Sequence, residues 1–326
     1  MKKFRSSIAL VVLALVLAIV PAVFAQDTLG ASQGDYDLWT AANASIADIS
    51  TASIDFTAKL EVAGMGDTNV SADLKGTGVI DTNKDNPAFQ LDVTGSVVNG
   101  KDTTPVNVGL RIVDGMLYAT MDGGETWEGS KLDDAMSSFG SGFAQGSGLP
   151  VSPTDLQNGD LSSLTSNPEA EAAMKALSEL KPSNFLSLVR SDAGGLAQFT
   201  LKLDVAKLLA DPALMPLFAG MGGLMGGSSG GDAAPAMTDA QMQQMQAMVG
   251  MMFSTATITV DEYIDPASSQ LQRANLTIAL PLDNMVGPGA AVNINFDISL
   301  SKSGEPVTVE VPANVTMMTP EPSSTQ

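Results

Sequence analysis

Apolar and polar residues alternate along two long stretches in the last third of the chain. The first covers residues 255–282, with a turn at Asp265 and Pro266, and the second covers residues 292–300. A period of two residues places apolar side chains on one face of a β-strand and polar side chains on the other. A last strand is predicted over residues 306–312. The pattern predicts antiparallel strands in a sheet with one apolar and one polar face.

The same alternation predicts strands in the first half of the chain. Asp114 and Gly115 form the residue pair most typical of a two-residue β-hairpin. Apolar residues at helical spacing predict an amphipathic helix over residues 35–49, ahead of the first strand. The five strands predicted in this half cover residues 54–62, 70–80, 88–98, 106–112 and 116–120.

Helical and strand patterns mix in the middle of the chain. Residues 167–180 have the pattern of a helix that Asn167 caps, and a shorter helix is predicted over residues 183–190. Strand alternation returns over residues 197–203, and one or two helical turns follow over residues 204–209. Taken together, the patterns predict an α+β protein with about ten strands.

Residues 212–252 differ in composition from the rest of the chain. Their glycine-rich part cannot hold a regular element without a large loss of backbone entropy. A capping box then predicts the start of a helix, on which Met242, Met245 and Met248 lie along one face. These thioethers have three interpretations, namely core packing, an adaptable apolar binding surface, or a soft Cu(I) site.

The first 25 residues have the pattern of a secretory signal peptide. A basic start that includes Lys2 and Arg5 precedes an apolar run over residues 8–20, and small residues lead to Ala25. The run is shorter than the roughly 20 residues that cross a bilayer. We therefore predict cleavage after Ala25 and a secreted or extracytoplasmic protein of the periplasm or cell envelope, with an uncleaved membrane anchor as the alternative.

Charge and composition exclude several classes of function. The chain has 16 basic and 36 acidic residues, which gives a net charge of −20. Nucleic acid and anionic membrane surfaces repel such a body at long range. The sequence contains no histidine and no cysteine, so catalytic triads, thiol catalysis, thiolate metal sites and disulfides are excluded. We predict an acidic protein that is not an enzyme, needs no cofactor and binds no nucleic acid.

Five short motifs occur in order along the chain. They are FTAKL at 56–60, NPAFQL at 86–91, VDGMLY at 113–118, YIDP at 263–266 with LQRA at 271–274, and SKSGEPVTV at 301–309. In this order and spacing they resemble the lipid-binding lipoprotein superfamily that includes the LolA/LolB lipoprotein carriers and the mycobacterial LppX/LprG lipid carriers. Two features depart from the family. The lipobox cysteine is missing, since position 26 is Gln26, and residues 212–252 are an unexpected insertion.

The resemblance implies a strongly curved antiparallel sheet, a half-barrel, with helices packed across its concave side. Residues 26–316 would form this single domain, and residues 317–326 a short disordered tail. An apolar ligand would lie between the sheet and the helices. The side chains expected to line that cavity are Phe56, Leu60, Phe89, Leu91, Leu110, Ile112, Phe199, Leu201, Met242, Met245, Met248, Phe296 and Ile298.

These observations favour an exported, non-catalytic binding or carrier protein. Its partner would be a lipid or another hydrophobic molecule, with transient contact to a membrane or an envelope protein. A structural or interaction module of the cell envelope with a filled core is the alternative. A methionine-rich Cu(I)-binding protein is a third interpretation. The sequence leaves open whether residues 212–252 form a lid or a tolerated insertion.

Overall fold

The computed structural model describes residues 28–64, 69–82, 87–135, 181–209, 211, 253–283 and 286–318. Within these residues, twelve strands form one sheet. Two α-helices are also described in full, α1 (Gln33–Ser45) and α2 (Val205–Leu209). The strands are β1 (Thr51–Ala63), β2 (Val70–Asp81), β3 (Ala88–Asn99), β4 (Asp102–Val113), β5 (Met116–Thr120), β6 (Trp127–Lys131), β7 (Leu186–Ala193), β8 (Leu196–Asp204), β9 (Thr257–Asp265), β10 (Gln270–Pro281), β11 (Ala291–Ser301) and β12 (Val315–Met317).

The sheet consists of two meanders joined along one ladder. The strand order is β12-β6-β5-β4-β3-β2-β1-β11-β10-β9-β8-β7, so β7 and β12 form the two ends and the sheet is not closed. Strands β1–β6 form the first meander and β7–β11 the second. The antiparallel ladder between β1 and β11, which we call the seam, joins them and pairs Phe56 with Ile298. Only β12 runs parallel to its neighbour, β6, so the sheet is mixed.

The predicted hairpin at Asp114 and Gly115 is confirmed. Both residues have positive φ values, 53° and 70°, and the strands that they connect pair Val113 with Met116. Two consecutive positive φ values match the right-handed twist of the flanking strands, which is why this residue pair suits the turn.

Helix α1 begins two residues before the start of the predicted helix, residues 35–49, and ends four residues before the end of it. Ser32 is the N-cap, and its Oγ accepts a hydrogen bond from the backbone N–H of Asp35. That capping satisfies one of the free amides of the first turn, which fixes the start of the helix. After Ser45 the chain tightens into a 3₁₀ turn, Ile46–Asp48, and leads directly into β1.

Two sequence-based predictions in the second half are wrong. Residues 183–190 do not form a helix, because a short 3₁₀ turn, Pro182–Asn184, precedes β7. Here the antiparallel ladder with β8 overrides a helical spacing that was only two turns long. Residues 306–312 form no strand, since the prolines at positions 306 and 312 lack the N–H that a ladder needs.

The number of strands in the sheet also differs from the predicted number. The sheet lacks the strand predicted over residues 306–312 and gains three that were not predicted, β6, β7 and β12, which gives twelve strands rather than about ten. The signal peptide over residues 1–25, the helix over residues 167–180 and the methionine helix after Thr238 lie outside the described residues.

The main core lies between helix α1 and the second meander. Trp39 from the helix is 1% exposed and packs against strand residues such as Phe199, which is 0% exposed. A smaller cluster of Val113, Tyr118 and Trp127 lies at the far end of the first meander. The second meander is therefore packed on one face by α1, and that packing shapes the site.

Gly95 provides a test of the register in the first meander. It has a φ of 155°, and a Cβ at this position would collide with the backbone oxygen of Asp73 on β2. Gly95→Ala is therefore expected to lower the free energy of unfolding by about 3 kcal/mol. The matched control is Gly115→Ala, where φ is also positive but no atom lies within 4 Å, and about 1 kcal/mol is expected. Equal losses in urea unfolding would contradict the β2–β3 pairing.

Candidate functional site

The two faces of the sheet differ in chemistry over its central strands. Because paired residues share a face, the ladder places Ala274, Ile298, Phe56 and Gly76 in one row across β10, β11, β1 and β2. We call this side the apolar face, and the other side the polar face. On β1, Phe56 is half-buried while the next residue along, Thr57, is exposed on the polar face.

Two phenylalanine rings lie together across the seam on the apolar face. Phe56 and Phe296 stack with their ring centroids 5.6 Å apart and their planes 26° from parallel. Gly76 on β2 makes this possible, because a Cβ at that position would overlap the ring of Phe56. The ring of Phe56 therefore lies over the backbone of β2. The stacked Phe56 and Phe296 rings lie at the centre of the apolar face.

Helix α1 packs on the end of the apolar face formed by the second meander, and Phe296 and Ile298 at the seam are half-buried against that core. The side chains under the helix, such as Phe199 and Ile264, are fully buried. The side chains over β1–β4 are only half-buried, including Leu60, Leu91 and Leu110. Half-buried apolar side chains on four adjacent strands form a surface that a hydrophobic molecule can cover.

The structure brings together the described residues that the sequence singled out. Ladder pairs link Phe89 with Ile112 and Leu91 with Leu110. Phe199 and Leu201 share the apolar face too, but they lie in the packed core beneath α1. The ten described residues of the predicted set that share this face are Phe56, Leu60, Phe89, Leu91, Leu110, Ile112, Phe199, Leu201, Phe296 and Ile298. Met242, Met245 and Met248 lie outside the described residues.

A buried carboxyl group under α1 was missed by the sequence reasoning. Glu262 on β9 is 5% exposed and lies on the apolar face, where it pairs with Phe199 and Ala274. The sequence did contain an indication of this burial. Glu262 lies two residues from both Val260 and Ile264, so the alternation places it on the apolar side of the strand. Burial raises the pKa of this carboxyl above its ordinary value of 4.5.

The polar face has a shallow groove beside the seam. Its volume is about 460 Å³, and Lys75, with side chains such as Asp55 and Thr94, lies along it. Two carboxylates at its edges, Asp92 and Asp297, form ion pairs with arginine side chains. Asp92 accepts hydrogen bonds from Arg111 at 2.8 and 2.9 Å. Arg111 therefore neutralises the charge of Asp92.

Asp297 at the other edge of the groove is held in the same way. Arg273 donates to its two carboxylate oxygens at 2.6–3.0 Å, which raises the pKa of the guanidinium. Both arginines also lie over aromatic rings, Arg111 over Trp127 at 5.0 Å and Arg273 over Tyr263 at 5.2 Å. These contacts fix the arginine side chains along the sheet, so we interpret them as structural.

Among the described residues, no three acidic side chains come close enough to one another to hold a metal ion. None of the helices in the described ranges is long and apolar enough to span a membrane.

Comparison with known proteins gives a structural likeness and no match in sequence. No family model matches the chain. No curated protein matches it either. The fold is similar to the crystal structure of LprF from Mycobacterium bovis, at 14% identity and a TM-score of 0.34, over 87% of this chain and 99% of that one.

A second likeness is weaker. A beta-barrel-like protein of a domain of unknown function, DUF1849, from Brucella abortus matches at 7% identity and a TM-score of 0.15, over 78% of this chain and 99% of that one. The likeness to LprF and the resemblance stated from the motifs name the same LppX/LprG-like group of lipoproteins.

Proposed function

We propose that the protein binds or carries a lipid or another hydrophobic molecule on the apolar face of its sheet. The observation that carries the proposal is the half-buried apolar surface over β1–β4 and β11, with the Phe56–Phe296 pair at its centre. Each Å² of this surface that a ligand removes from water is worth about 25 cal/mol. No catalytic step is part of the proposal.

The detailed architecture belongs to the same proposal. We infer that the sheet curves into a half-barrel and that the helices predicted over residues 167–180 and after Thr238 cover the seam. The ligand would then contact Phe56, Leu91 and the other half-buried side chains of the predicted set. Residues 26–316 would form this single domain of an extracytoplasmic protein after cleavage at Ala25.

The test is occupancy of the purified chain. The protein lacking residues 1–25 is expressed, extracted with organic solvent, and the extract is analysed by mass spectrometry. We expect a lipid in stoichiometric amount, and after its removal we expect saturable binding of cis-parinaric acid, a fluorescent fatty acid. The absence of both would overturn the proposal and leave the filled structural module.

A further inference from the structure

Glu262 is an acidic side chain placed inside the main core. In its row of the sheet it lies between Phe199 on β8 and Ala274 on β10, and both neighbours are buried. Helix α1 packs on the same row through Trp39. A carboxylate at such a position loses nearly all of its hydration, a loss that it avoids when it binds a proton.

In the part of the chain that the structure describes, the neutral partners of Glu262 come from α1. Asn43 Nδ2 donates to Oε2 of Glu262 at 3.0 Å and also to the backbone oxygen of Trp39. The side chain of Trp39 favours the ionised form as well, although its Nε1 makes no hydrogen bond of normal geometry within the described residues. The carboxyl is therefore joined to the helix, and its charge is only weakly compensated.

Charged groups near this row are engaged elsewhere. Arg190 on β7 lies beyond Phe199, two strands from Glu262, and its guanidinium bonds Asp35 on α1 at 2.8 Å and Asp192 at 3.3 Å. On β10 the neighbouring Arg273 points to the polar face, where it holds Asp297. On β8, Phe199 is the residue that faces Glu262.

The other acidic groups of α1, β8 and β9 bond to other partners, Asp265 to Ser268 and Asp204 to Lys207 among them. On α1, Asp37 accepts from Gln33 Nε2. On β9, Asp261 accepts from Gln198 and Thr200 on the polar face. Among the described residues, no cation forms an ion pair with Glu262.

We propose that Glu262 is a proton-controlled latch for helix α1. With a proton bound, the carboxyl lies in the core at little cost and α1 stays docked on β8–β10. Once ionised, the carboxylate regains its hydration only if the helix moves away. Movement of α1 away from the sheet would expose the part of the apolar face that lies on β9. That consequence for ligand binding rests on the proposed function, whereas the motion of the helix does not.

The direction with pH follows from proton binding. Because the folded-state pKa of Glu262 is raised above 4.5, the folded protein holds this proton over a pH range in which the unfolded chain has released it. The contribution to stability is therefore fully present below pH 4.5 and is lost as the pH rises through the folded-state pKa.

The test uses Trp39 as a reporter. The chain has two tryptophans, so Trp127→Phe leaves Trp39 alone. Trp39 is 1% exposed, and acrylamide should hardly quench its fluorescence at pH 4. As the pH rises toward 9, we expect the quenching constant to increase severalfold while far-ultraviolet circular dichroism still shows a folded sheet. A quenching constant that stays flat over this range would overturn the latch.

Two substitutions separate the latch from general charge effects. In the same background, Glu262→Gln keeps an acceptor for Asn43 and removes the titration, so its quenching should stay low at every pH. Glu128→Gln, at an exposed position on β6, should behave like the parent. If Glu262→Gln keeps the rise, Glu262 is not the latch. Should Trp127→Phe not fold, hydrogen exchange of the α1 amides in the otherwise unmodified chain gives the same comparison. None of these measurements needs a ligand, so a failed latch and a failed carrier are distinguishable.

Discussion

Trp39→Ala is expected to lower the free energy of unfolding by about 4 kcal/mol, the largest stability effect of any single substitution we propose. Trp39 is among the largest fully buried side chains, and it joins α1 to residues of the second meander such as Phe199 and Leu276. Its removal would leave a large cavity at the interface between the helix and the second meander. Urea unfolding followed by far-ultraviolet circular dichroism measures the loss.

Trp39→Phe is the matched control for that measurement. It keeps most of the apolar volume and removes the indole Nε1, which has no hydrogen-bond partner among the described residues. The loss should therefore be about 1 kcal/mol, because the smaller ring leaves only part of the indole space unfilled and the removed Nε1 made no hydrogen bond. If the alanine variant were no less stable than the phenylalanine variant, α1 would not be docked as the structure has it.

Leu91→Asp is expected to weaken the binding of cis-parinaric acid by about tenfold or more. Leu91 is half-buried on the apolar face between Gly78 and Leu110. A ligand that covers this position would lose the contact of a leucine side chain, worth about 1.5–3 kcal/mol, and would have to cover a carboxylate instead. Fluorescence titration of the delipidated chain measures the change.

Thr94→Asp provides the control on the same strand. Thr94 is exposed and lies along the groove of the polar face. The Thr94→Asp substitution introduces the same negative charge as Leu91→Asp, three residues further along β3 and on the opposite face of the sheet. Binding of the probe should stay within about twofold of the parent, since surface substitutions of this kind change stability by less than about 0.5 kcal/mol. Equal weakening by both variants would show that the charge, and not the apolar face, governs binding.

The faces of the strands could be predicted from the sequence, and the register could not. Strict alternation is enough to place Phe56, Leu91 and Phe296 on one side, because a period of two leaves no other choice within a strand. Which strand lies beside which depends on contacts across the chain. The seam pairs Phe56 with Ile298, and no local pattern indicates that pairing.

The errors fall where local patterns were short or ambiguous. Leu186 and Leu188 are spaced as in a strand, whereas Phe185 and Leu188 are spaced as in a helical turn, and the ladder with β8 decides. Glu262 was missed because a single polar residue at an apolar position of a strand does not by itself indicate burial. Its burial depends on the helix that covers the strand. Both cases depend on tertiary neighbours rather than on local preference.

The seam also constrains the order in which the molecule can form. Each meander pairs strands that follow one another along the chain, whereas the seam joins β1 with β11 across nearly the whole chain. Closing so long a loop carries a large entropy cost, so the two halves should meet late, and folding should be slow in the manner of sheets with distant pairings. The seam itself cannot form before β11 has been made, so the two meanders remain unjoined until then. The pairing of β1 with β11 is thus expected to limit the folding rate as well as to join the two halves of the sheet.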